Sequence, residues 1–183
     1  TAVRGLGYAD SGAAIRAVTL LAVFTGVIVV ALLIGYLPTL YGAFNTREQL
    51  VSLLDSRAGS PAWGVEVLLR ATRDDALAEL PVLFGEWERW AADVDESHSS
   101  YPILISFRSQ EPSRSWVLAL LAVLDAAALH VTLRPDDDTL SARLCLRTGY
   151  VALRSIADTA GIAVDHDPLP EDPIELTRAD FEA

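Results

Sequence analysis

The run AVTLLAVFTGVIVVALLIGYLPTLYGAFNT, residues 17–46, contains no charged side chain. A helix that crosses about 30 Å of hydrocarbon needs about 20 mainly apolar residues, and this run exceeds that requirement. A core helix seldom goes so far without a charge, and a secretory signal has a shorter apolar centre with a small-residue cleavage site. The stretch therefore reads as a membrane span. Pro38 lacks an amide hydrogen and crowds the turn before it, so it is expected to end or kink the span. Tyr36 and Tyr41 fit an interfacial aromatic belt. Arg4 and Arg16 on one side balance Arg47 and Arg57 on the other, so flanking charge gives no orientation.

Composition divides the chain at the end of this run. The 183 residues are 51% hydrophobic and carry 14 arginines, no lysine and 25 acids, a net charge of −11. Residues 1–44 hold two of the arginines and one acid, a net of +1, whereas residues 45–183 hold 12 arginines and 24 acids, a net of −12. Such acidity excludes a nucleic-acid partner, which requires a basic face. One cysteine, Cys145, excludes a disulfide framework and a Cys-rich zinc site. His98, His130 and His166 lie far apart and form no metal-ligand spacing.

The residues ahead of the span read TAVRGLGYADSGAAIR (1–16). Within them, Gly5, Leu6, Gly7, Tyr8, Ala9 and Asp10 resemble the selectivity filter of potassium channels, Thr-Val/Leu-Gly-Tyr-Gly-Asp. In that family the filter leads through a short outer loop to the pore-lining inner helix, and this chain keeps the order. The chemistry explains the residue types: backbone carbonyls must point inward to replace an ion's water shell, which needs backbone angles open mainly to glycine. Gly26 lies where such inner helices often place a hinge glycine; helix packing through a small residue is the plainer role. Two positions depart from the pattern. Gly5 stands where the family has Thr, and Ala9 stands where it has its second Gly. Arg4 adds a positive charge just before the filter. An outer helix and a pore helix would have to precede Thr1, so the chain reads as the back half of a two-helix channel subunit.

The acidic part reads as helices. Thr46 is expected to cap a helix that begins Arg47-Glu48, with Leu50, Val51, Leu53 and Leu54 as its apolar stripe. Gly59-Ser60-Pro61 is a break. Further helices are expected over about 62–73 and 75–95, the latter with Pro81 near its start. Trp87 and Trp90 share one face and read as core or interface anchors. Residues 101–107, around Pro102, are expected to be extended or loop-like. The apolar run 116–133 is a second span or a buried helix; Asp125 near its middle favours the buried helix. Asp136, Asp137 and Asp138 form an acidic turn that suits the N-terminus of the following helix and lack the spaced ligands of a calcium loop. The last helix is expected over about 139–159. It carries a basic stripe of Arg143, Arg147 and Arg154, suited to a solvated face, lipid headgroups or a neighbour's acidic surface. Cys145 on this helix reads as a small buried residue. From Gly161 onward proline and acids dominate, as in a poorly ordered tail.

Several phrases resemble the region after the inner helix in actinobacterial potassium-channel-family proteins: IGYLPTLYGAF (34–44), VSLLDSRAGSP (51–61), GEWERWAADVDESHSSYPILISFRSQ (85–110) and SWVLALLAVLD (115–125). With the filter, the resemblance covers most of residues 5–160. It implies a pore-forming subunit that passes K⁺ through Gly5, Leu6, Gly7 and Tyr8, sits in the cell membrane as a homo-oligomer, by family a tetramer, and places the acidic domain in the cytoplasm.

The expected architecture is all-α, with a filter-like segment and span over 1–45, a helical domain over 46–160 and an acidic tail over 161–183. No enzyme is read: Glu86, Glu88, Asp93, Asp95, Glu96 and His98 are not joined by a nucleophile, a phosphate loop or a metal motif, and they suit a solvated face. No cofactor is expected beyond the permeant ion. The alternative reading is a membrane-anchored regulatory or interaction domain whose pore is degenerate.

Overall fold

The structure, a computed structural model, describes residues 12–109, 111 and 114–164, with backbone alone at 13 and 14. Five α-helices follow in order: α1 Ala13–Ala58, α2 Gly64–Arg73, α3 Leu80–Ser100, α4 Trp116–Leu133 and α5 Leu140–Ala160. Short 3₁₀ turns at Leu77–Glu79 and Pro102–Ser106 bracket α3. No strand occurs among the described residues, so the protein is all-α. By internal packing it divides into two units, Thr1–Asn45 and Thr46–Ala183.

The helix α1 is longer than the sequence suggested. It runs without interruption past Pro38 and Thr46. Pro38 removes a single amide donor, and the Thr39 hydroxyl donates to the Gly35 carbonyl one turn back, at 3.3 Å. Thr46 caps nothing, because a hydroxyl cap acts only where amides are orphaned and the ladder around it is unbroken. What ends α1 is Gly59, whose φ of +78° suits a left-handed cap; its amide bonds the Asp55 carbonyl at 3.0 Å.

The second unit is a helical bundle around one core. Its floor is the inward face of α3, with Leu83, Phe84, Trp87, Trp90, Ala91 and Val94 all buried. Val51, Leu54 and Ala58 at the end of α1 close one side, and Ala142, Cys145, Ala152 and Ile156 of α5 close another. The helix α4 lies against α2, α3 and α5. Its alanines at 119, 122, 126 and 127 are buried and let neighbouring backbones come close. Gly64 at the start of α2 shows how close: a Cβ there would lie 2.7 Å from the Ala122 carbonyl oxygen and 2.9 Å from the Ala126 amide nitrogen.

The acidic turn acts as the sequence suggested. The Asp138 carboxylate accepts from the Leu140 amide at 3.1 Å, and Asp137 pairs with Arg134 at 2.6 Å. Ser115 caps α4, accepting from the Leu118 amide. Pro102 opens a 3₁₀ turn rather than an extended segment.

Candidate functional site

Among the described residues, two helices are long and apolar enough to cross a membrane, α1 and α4. They differ in cover. The best window of α1 has a mean hydropathy of 2.9 and none of it is buried. Every residue from 15 to 39 is exposed, including Phe24 at 64%, Ile34 at 70% and Leu37 at 65%. Half of the corresponding window of α4, with mean hydropathy 2.0, is buried inside the bundle. Monomeric soluble proteins rarely leave such contiguous apolar surface bare.

Just beyond this surface, in the second unit, Arg47 is 1% exposed. Its guanidinium has five N–H donors, and five contacts engage them. Nη1 donates to His98 Nε2 and to the Leu104 carbonyl, both at 3.1 Å. Nη2 donates to the Phe107 carbonyl at 2.8 Å and pairs with Glu48 Oε1 at 3.0 Å. Nε donates to the same Glu48 oxygen at 3.0 Å, which also accepts from the Ser109 hydroxyl at 3.1 Å. The Arg47 backbone carbonyl accepts from the Trp90 indole at 3.0 Å. The Trp116 ring lies 5.3 Å from the guanidinium carbon, within cation–π range.

His98 completes the cluster. Its Nδ1 lies 2.9 Å from the Val94 carbonyl, which can only accept, so Nδ1 carries the proton and Nε2 accepts from Arg47. Burial, followed by the Arg47 charge, lowers its pKa from the ordinary 6.5 to about 4. Burial likewise lowers the Arg47 pKa, against the opposing pull of Glu48. The cluster therefore holds one buried cation beside a neutral imidazole. It joins α1 to α3, to the Pro102–Ser106 turn and to α4. A second tie runs from Asp55 of α1 to Arg114, at 2.5 Å.

This arrangement is a fastening within the second unit. The Arg47 donors are engaged and its imidazole neighbour is neutral and buried. Cys145 is fully buried, and its thiol is pushed up to about 12 by burial and by Glu88, far from a reactive thiolate. No group of three His, Cys, Asp or Glu among the described residues is placed to hold a metal ion. No protein-family model, curated protein or solved structure matches the chain.

Gly5, Leu6, Gly7 and Tyr8 lie outside the described residues. Gly26 sits inside α1, and a Cβ there would meet nothing within 4 Å, so no contact among the described residues calls for glycine. Trp87 and Trp90 are core anchors with ring centroids 4.7 Å apart. Glu86, Asp93 and Glu96 are exposed, as a solvated face requires, and Glu88 and Asp95 are half-buried. His98 departs from that face and turns inward. Its spacing carried the signal: Trp87, Ala91, Val94 and His98 fall on one helical stripe, as do Leu40, Arg47, Val51, Leu54 and Ala58. The polar character of Arg47 and His98 masked their places on those stripes.

Proposed function

We propose that this chain is a membrane-anchored subunit of a potassium-channel-like protein. The reading rests on 25 consecutive helical residues, 15–39, that are exposed and almost wholly apolar. At 1.5 Å per residue they extend about 38 Å, enough to cross the hydrocarbon core. Lipid, or the same helix of further copies, is the cover that such a surface requires. The filter-like residues Gly5 to Tyr8 precede this helix directly, as a filter precedes a pore-lining helix. In this scheme four copies surround the pore, Gly5, Leu6, Gly7 and Tyr8 lend carbonyls to dehydrated K⁺, and the acidic bundle lies in the cytoplasm, concentrating cations near the inner mouth. The Arg47 cluster fastens the last turns of α1 to the rest of the bundle within the second unit.

The test is ion flux in vesicles containing the full subunit, with K⁺ favoured over Na⁺. The Y8A variant loses that preference; unchanged selectivity in Y8A removes the filter assignment.

A second reading is favoured by Gly5, Ala9 and Arg4, which depart from the filter pattern: an anchored interaction module with a degenerate pore. Absence of flux in the natural chain, together with flux in the G5T/A9G variant, selects this reading.

A further inference from the structure

From Leu140 to Arg154 the face of α5 turned to solvent is basic and apolar, with Asp158 the exposed acid at its end, although the bundle as a whole is acidic. Leu140, Arg143, Arg147, Tyr150, Val151 and Arg154 follow one another at helical spacing. Leu140 is 61% exposed, Tyr150 60% and Val151 56%; Arg143 and Arg147 are exposed and Arg154 is half-buried. Arg47, Arg70, Arg114 and Arg134 all pair with carboxylates. No such pair engages Arg143, Arg147 or Arg154 among the described residues.

The sequence supplies a complement next to this face. Residues 165–183 read DHDPLPEDPIELTRADFEA, with seven acids against one arginine. Leu169, Ile174, Leu176 and Phe181 are interspersed among the charges, as the exposed Leu140, Tyr150 and Val151 are among the arginines. Pro168, Pro170 and Pro173 disfavour a helix. The exit from α5 also has the right sense. Gly161 adopts φ +72°, and the Ile162 amide bonds back to the Ala157 carbonyl at 2.9 Å. This is the pattern of a Schellman cap, which turns the chain out of the helix direction.

We infer that the acidic segment 165–183 docks on the Arg143, Arg147 and Arg154 face of α5 in the same molecule. The reach suffices: Arg147 lies 13 residues before Ala160, about 20 Å along the helix, and the nine extended steps from Ile162 to Glu171 span about 30 Å. Tethering makes the local concentration of the segment about millimolar. An anionic lipid surface is the weaker occupant, because the net charge of −12 on residues 45–183 repels it.

The chain contains no lysine, so R147K introduces a single side-chain amine and keeps the charge. In the full chain in non-ionic detergent, a zero-length carbodiimide would join that amine to any carboxylate in direct contact. The expected product is an amide from position 147 to Glu171, Asp172 or Glu175. It forms within one molecule, so a mixture of ¹⁵N-labelled and unlabelled protein yields no mixed pairs. Its yield falls at least threefold in 1 M NaCl, where the screening length is about 3 Å. Links confined to bundle carboxylates such as Glu88, links between molecules, or no link from a normally helical R147K protein would each overturn the inference.

Discussion

Arg47 is engaged by two backbone carbonyls, an imidazole and a carboxylate, and shortening it strips a partner from all of them. R47M leaves the half-buried Glu48 and the buried Leu104 carbonyl without their cation. A broken buried charge network costs about 3–5 kcal/mol, and R47M is expected to lose that much in urea unfolding followed by helical circular dichroism. R47K keeps the charge but offers three donors in place of five, so about 1–3 kcal/mol is expected there. Equal stability of R47M and the natural chain would show that the cluster contributes nothing net. His98 gives the same cluster a pH dependence. Its folded pKa of about 4 lies below the ordinary 6.5, so the unfolded chain binds the proton more readily. Stability from this group is intact above about pH 6.5 and is lost progressively down to about pH 4, by about 3 kcal/mol in all. H98Q retains an acceptor for Arg47 and cannot titrate there; the difference in stability between the natural chain and H98Q should therefore shrink across that window. A constant difference would mean that His98 does not titrate as placed.

Glycines test the packing of elements. In a helix, replacing glycine by alanine ordinarily stabilises by about 0.5–1 kcal/mol. Gly85 in α3 has open space where a Cβ would go, and G85A should follow that rule. Gly64 should reverse it, because α2 starts against the backbone of α4 and the two chains must separate to admit a methyl group. G64A is expected to lose about 1–3 kcal/mol, read as opposite shifts of thermal midpoint in the two variants. Midpoints that rise together would mean that α2 and α4 are not in backbone contact. Such contacts join residues far apart in sequence, which no local pattern encodes. The apolar periods gave α4 and α5 to within a residue or two, since local pattern decides them. The same pattern placed a helix start at Thr46, because a good capping residue before Arg47-Glu48 is a local cue, and only the unbroken amide ladder overrides it. Arg47 and His98 are 51 positions apart, and no local pattern records their pairing. The filter reading of residues 5–8 rests on a resemblance, and those residues lie outside the described part of the chain.

At the scale of the molecule, the two units pose different solvation problems. The core cluster of the bundle is made wholly of residues from Val51 onward, and no residue of 15–39 contributes to it. The bundle therefore does not depend on the span for its core. The span, in contrast, finds no cover among the described residues. The apolar helix α4 is the point of tension, since its composition alone would also allow it to cross a bilayer. Half of its window is buried, however, and Asp125 and His130 would be costly in hydrocarbon. Residues 46–183 produced without the first unit should accordingly remain in the supernatant after high-speed centrifugation and retain their helical content, while the full chain sediments with membranes and resists extraction at alkaline pH. A shift of tenfold or more in the soluble fraction between the two is expected. Sedimentation of 46–183 with membranes that persists in 1 M NaCl would make α4 a second span. Release by the same salt would instead point to the arginine face of α5 meeting headgroups, since screening removes charge attraction and leaves apolar insertion intact.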